Sequence, residues 1–228
     1  MLISRLMKTL DDNDDGSISN DHSKLQNLSS TETYVLRVMG HTTPIAAGVG
    51  IGLVLYNAVT NDEIWTGRIY CHGERSIFEA DYTAIIMGLD FAKSCGIENL
   101  IVQSTNEVVV FQINGIYDVK KESLKPLLAM EKKREEPFSS LSIEKLPSSE
   151  NAIAVDLATK AIATQKSKNT PRSWKFQDPM TLTSETSEID EPQTMNDIVQ
   201  PLEIDPSRLY VLRFDGGSRG NPGVAGYV

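Results

Sequence analysis

Residues 48–96 read GVGIGLVLYNAVTNDEIWTGRIYCHGERSIFEADYTAIIMGLDFAKSCG, and the period of their apolar residues changes once. Val49, Ile51, Leu53 and Leu55 alternate, so they fall on one face of a strand over Gly48–Tyr56. Asn61-Asp62 supplies a turn, and Ile64–Cys71 follows as a second strand of an antiparallel meander. From Ser76 onward the apolar positions become Phe78, Tyr82, Ile85, Leu89 and Ala92, the spacing of one helix face. Ser76-Ile77-Phe78-Glu79 is a capping box that opens this helix. Gly96 stops it, where a left-handed C-terminal cap is wanted.

Working outward, Val35–Met39 reads as a strand before this stretch. After it come a short strand at Leu100–Gln103, a short helix at Asn106–Gln112 closed by Asn114-Gly115, and a charged helix over Lys121–Glu135. A strand at Leu141–Lys145 and a helix over Ser149–Thr164 complete the set. Thr105 is the expected N-cap of the short helix. The order βββαβααβα implies an α/β fold, a mixed five-stranded sheet with helices on both faces.

The 228 residues are 40% apolar and 23% charged, enough apolar material for a core, with a mean hydropathy of −0.24. No apolar stretch approaches the ~20 residues of a membrane-spanning helix, so no membrane partner is expected. The net charge of −9 excludes nucleic-acid binding by bulk attraction and requires a local patch for it. Cys71 and Cys95 form no disulfide framework and no metal spacing, which fits a reducing compartment. The acidic run Asp11-Asp12-Asn13-Asp14-Asp15 spoils a secretory or transit peptide. The expected location is intracellular, with nucleus and cytoplasm left open. Residues 1–33 are polar beyond Leu10 and read as disordered, whereas 34–166 carry the core. Residues 167–207 hold five prolines and no Lys or Arg between Lys175 and Arg208, the composition of an acidic linker.

Tyr34-Val35-Leu36-Arg37-Val38 recurs as Tyr210-Val211-Leu212-Arg213-Phe214, and both copies lead into a glycine-bearing turn. Residues 208–228 therefore read as the first strand and turn of a second copy of the middle domain. Phe214-Asp215-Gly216-Gly217-Ser218-Arg219-Gly220-Asn221-Pro222-Gly223 resembles the opening strand and turn of type 1 ribonuclease H. The middle domain resembles the reverse-transcriptase-like branch of that family at four places. These are Glu79–Ala84, Ile101–Val110, Gln112–Lys120, and Glu150-Asn151-Ala152 with Leu157-Ala158.

The resemblance implies hydrolysis of the RNA strand of RNA–DNA hybrids by two Mg²⁺ or Mn²⁺ ions held by four carboxylates. Hard cations want oxygen ligands, and the family draws them from the first strand, first helix, fourth strand and last helix. In the middle domain those positions fall on Met39, Glu79, Thr105 and Val155, with Asp156 one residue past the last. A single helical step turns a side chain by ~100°, away from the site. One carboxylate of four does not hold two cations, so this chain is expected to be inactive by itself. Glu79 keeps two readings, a capping residue and a residual metal contact. Asp215 matches the family's first-strand metal ligand and catalytic residue. Ser218 and Asn221 match contacts to nucleic acid, and Gly216, with the neighbouring glycines, allows close backbone approach to it. The expectation is a tandem protein whose second domain cleaves hybrids. The alternative is a non-enzymatic module for nucleic acid or protein, built on a degenerate domain.

Two weaker patterns complete the reading. Asp11–Ile18 fits the first eight positions of an EF-hand calcium loop, but His22 stands where the bidentate Glu belongs, so an acidic tail is the simpler reading. Lys120, Lys121, Lys125, Lys132, Lys133 and Arg134 gather around the charged helix, interleaved with Glu122, Glu131, Glu135 and Glu136. They read as a solvated amphipathic face rather than a handle for nucleic acid.

Overall fold

The computed structural model describes residues 23–43, 47–171, 174 and 177–184. After a short helix α1 (Ser23–Gln26), the strands β1 (Thr33–Thr42), β2 (Gly48–Asn57) and β3 (Glu63–His72) form the meander. Helix α2 (Ile77–Ser94), strand β4 (Asn99–Ser104), helices α3 (Glu107–Ile113) and α4 (Lys125–Glu135), strand β5 (Ser140–Lys145) and helix α5 (Ala152–Thr164) follow. A last short helix, α6, covers Pro179–Ser184. The five strands lie in the order β3-β2-β1-β4-β5. β1 and β3 each run antiparallel to β2, while β4 runs parallel to both β1 and β5. The mixed sheet and the element order match the sequence reading.

The alternating face of β2 (Val49, Ile51, Leu53, Leu55) joins the main core with Leu36 and Val38 of β1 and Ile85, Met87 and Leu89 of α2. The opposite face of β2 is buried as well, because α5 lies on it. Glycine makes that approach possible. A Cβ on Gly50 would stand 1.9 Å from the carbonyl oxygen of Ala158, and one on Gly52 2.0 Å from that of Ala154. Gly40 does the same for α2, where a Cβ would meet the Ala80 carbonyl at 2.2 Å. Small residues on both partners thus set how α2 and α5 rest on β1 and β2.

The α2 termini form as read. Ser76 caps Glu79 N–H, the Glu79 carboxylate returns to Ser76 N–H, and Gly96 takes a φ of 73° after the last turn. Other boundaries differ. Lys121–Glu135 is not one helix: a 3₁₀ turn at Glu122–Leu124 precedes α4, whose second residue, Pro126, belongs in a first turn where its missing N–H costs nothing. A 3₁₀ turn at Ser148–Glu150 likewise precedes α5, separated from it by Asn151 at φ −108°, ψ 20°. Asn106 caps α3, not Thr105, because its side chain accepts from Val109 N–H at 3.3 Å.

The packed unit is also wider than residues 34–166. Leu25 is buried, Ser29 N–H donates to the Tyr34 hydroxyl at 2.9 Å, and the Asn99 side chain donates to Ser30 C=O at 2.9 Å. Beyond α5, Lys168 forms a bridge with Arg68 on the outer edge of β3, and Trp65 Nε1–H donates to Asn169 C=O at 3.1 Å. Trp174 is buried with its ring centroid 5.3 Å from Phe91, which stacks on Trp65 at 4.0 Å. Arg75 forms an ion pair with Asp178. The first part of the expected acidic linker therefore covers the edge of the sheet and closes part of the core.

Candidate functional site

Parallel pairing of β1 with β4 brings the C-terminal ends of both strands to one edge, with Arg37 opposite Gln103. Continuing that register sets Met39 beside Thr105, and the Thr105 hydroxyl lies 3.8 Å from Met39 Sδ. The start of α5 joins them through Asn151, fully buried, whose amide donates to Val38 C=O at 2.9 Å. Val155 N–H in turn donates to Asn151 C=O. Met39 and Thr105 thus meet at this corner beside Asn151, with Val155 one turn further along α5, and the three expected ligand positions carry a thioether, a hydroxyl and a hydrocarbon. Asp156, one step on, is exposed and pairs with Lys160 at 3.0 Å.

Glu79 is saturated by donors. Its carboxylate accepts from Ser76 N–H at 2.7 Å, Ser76 Oγ at 2.8 Å, Ser123 Oγ at 2.7 Å and Lys121 Nζ at 3.1 Å. Partial burial alone would raise its pKa, but these donors, Ser123 foremost, pull the group down to about 2. Two residues along the same helix is a rotation of ~200°, so Asp81 projects from the opposite side of α2.

Asp81 is the carboxylate that meets the corner. Only 2% exposed, it accepts from Gly40 N–H at 3.1 Å and from Asn106 Nδ2–H at 2.7 Å. Those donors are the chain neighbours of Met39 and Thr105. Burial pushes the Asp81 carboxyl up to about 6 despite both hydrogen bonds. The sequence reading passed over it, although one signal was present. Asp81 interrupts a helical stretch, Ala80–Leu89, whose other residues are apolar or small and all buried.

Divalent cations fit this corner poorly. Asp81 is one carboxylate already bound to two donors, and the described residues contain no cluster of three or more His, Cys, Asp or Glu able to hold an ion. Among the basic residues of the charged helix region, Lys121 pairs with Glu79, Lys125 with Glu122, Lys132 with Glu135, and Arg134 with Asp90. Glu131 is fully buried in the same helix, with no hydrogen bond to either oxygen. Asp215, Gly216, Ser218 and Asn221, like the calcium-loop pattern at 11–22, lie outside the described residues.

Residues 41–161 match the family model described as reverse transcriptase-like, just over half of the chain. No curated protein sequence matches. Among solved structures, RNase H1 of the halophilic archaeon Halobacterium salinarum superposes with a TM-score of 0.54 at 21% identity, covering 57% of this chain and 96% of its own. The N-terminal RNase H domain of Mycobacterium tuberculosis rv2228c gives 0.54 at 25% identity, covering 59% and 98%. LC11-RNase H1, isolated from compost and solved with an RNA/DNA hybrid, also gives 0.54 at 25%, covering 58% and 98%. Strand order, the β1–β4 corner and the family match converge: the chain belongs to the reverse transcriptase-like family and has the RNase H fold.

Proposed function

We propose that this domain binds nucleic acid of the RNA–DNA hybrid class without cleaving it. Hydrolysis, on this reading, belongs to a second domain that opens with Asp215, where Asp215 is the first metal ligand and Gly216, Ser218 and Asn221 touch the nucleic-acid strand. The observation that carries the reading is the chemistry of the corner. Met39, Thr105 and Val155 stand where carboxylates are required, and Asp81 is committed to two structural donors. Magnesium wants oxygen anions, and a thioether, a hydroxyl and a hydrocarbon do not replace them. Glu79, held by four donors on the other side of α2, is a structural cap whose release would be needed before it met any ion. A relative of 25% identity was solved with an RNA/DNA hybrid, which supports the choice of ligand.

The test is direct. The full 228-residue chain is mixed with a labelled RNA–DNA hybrid and Mg²⁺ or Mn²⁺, and both retention and cleavage are measured. The expected result is binding that weakens steeply as salt rises, with no cleavage. Turnover abolished by Asp81→Asn or Glu79→Gln would overturn the assignment of inactivity. Absence of binding at low salt would overturn the assignment of ligand.

A further inference from the structure

We propose that Ser123 is a phosphoryl-acceptor site for a serine kinase that reads two preceding lysines, and that its phosphate detaches the loop before α4 from α2. The acceptor lies in Lys120-Lys121-Glu122-Ser123, all four exposed; Ser123 is the middle residue of the 3₁₀ turn Glu122–Leu124, which follows a stretch (118–121) without regular secondary structure. Ammonium groups two and three residues ahead of a hydroxyl are a charge pattern that an acidic kinase subsite selects. That turn is a single one, held by Leu124 N–H to Lys121 C=O at 3.0 Å and by Lys125 N–H to Glu122 C=O, so it opens locally at less cost than the core and the segment can extend into a kinase cleft.

The structural consequence follows from what the hydroxyl does now. Ser123 Oγ–H and Lys121 Nζ–H both donate to Glu79 Oε1, at 2.7 and 3.1 Å, and these bonds tie the loop to the first turn of α2. In the transfer the Ser123 O–H bond breaks and its proton passes to the kinase base. Oγ takes the γ-phosphoryl group of ATP, and ADP leaves. The modified oxygen has no proton to donate, and a group of nearly two negative charges now stands against the Glu79 carboxylate. Lys121 transfers to the phosphate, the stronger anion. Glu79 retains its two bonds to Ser76, so the helix cap survives while the tether to the loop is lost.

The full chain is incubated with ATP and a purified serine kinase directed to basic residues, then followed by intact mass and peptide mapping. One phosphate, a gain of about 80 Da, is expected on Ser123. It is expected to persist on the new hydroxyl of S123T, to vanish in S123A, and to form at least tenfold more slowly when Lys120 and Lys121 are both replaced by Gln. Hydrogen exchange of the Leu124 and Lys125 amides, which close the 3₁₀ turn, is expected to quicken about tenfold in the phosphorylated chain, the scale of losing one charge-assisted hydrogen bond, with α2 amides unchanged. No incorporation, labelling that survives in S123A, a rate indifferent to the lysines, or loop exchange no faster than before would overturn the proposal.

Discussion

Replacing Asp81 by Asn should remove the Asp81 share of the fall in stability between pH 5 and 7.5, leaving in both proteins the share that buried Glu131 contributes over the same window. Burial raises the Asp81 carboxyl from 3.8 to about 6 in the fold. The folded chain therefore binds this proton more tightly than the unfolded one, and stability falls as pH rises through about 6. At ~1.36 kcal/mol per pKa unit the full effect is about 3 kcal/mol, and the part between pH 7.5 and 5 is about 1.4 kcal/mol. Asparagine removes that slope. It also brings a conflict, because Gly40 N–H and Asn106 Nδ2–H both point donors at this position and an amide offers one acceptor oxygen. Asn106 does not turn over freely, since its own oxygen caps Val109. Stranding one buried donor costs ~1–3 kcal/mol, comparable to the relief of the desolvated charge, so the stability at any single pH decides nothing. The slope does. Urea denaturation followed by circular dichroism at pH 7.5, 6 and 5, at constant ionic strength, gives the difference between the two proteins. A difference that stays constant within about 0.3 kcal/mol across the range would refute the placement of this titration on Asp81.

The remaining predictions concern packing. Glu131 is raised to about 8, first by burial and then by the Glu135 carboxylate on the next turn, with Lys132 Nζ at 3.9 Å opposing them from beyond hydrogen-bond reach. Glu131→Met should stabilise the chain by ~1–3 kcal/mol at pH 8.5, where the wild-type group is ionised, and by less at pH 6; a gain independent of pH would count against a buried charge. Gly52→Val should cost more than ~3 kcal/mol or prevent folding, because the new Cβ meets the backbone of α5 rather than a side chain that can turn aside; a chain with an unchanged urea midpoint would show that α5 does not lie on β2 as described. Trp174→Ala should cost ~3–5 kcal/mol by opening the Trp65–Phe91 stack, and a midpoint close to wild type would mean that the segment after α5 is not part of the core.

What the sequence discloses is what depends on neighbours along the chain. The alternation in β2, the capping box at Ser76 and the glycine at 96 each act within a few residues, and the elements they define are present. Trp174 escaped because a run of prolines and acids reads as linker by composition, while its burial depends on Phe91, more than eighty positions away. Helix boundaries missed by a turn for a similar reason. Asn151 leaves helical geometry while its side chain reaches the β1 carbonyl of Val38, a bond no local pattern displays. The choice between Glu79 and Asp81 is the most instructive case. Glu79 stands out locally because its spacing from Ser76 completes a capping box, and that same role turns it toward Ser123 and Lys121. Which carboxylate faces the β1–β4 corner is decided by the rotation of α2 about its axis. That rotation rests on the contact between Gly40 and the backbone of Ala80, half a sheet away in sequence. Local capping and distant packing thus act on two acids of one helix, and the acid that meets the corner is the one held there by distant packing.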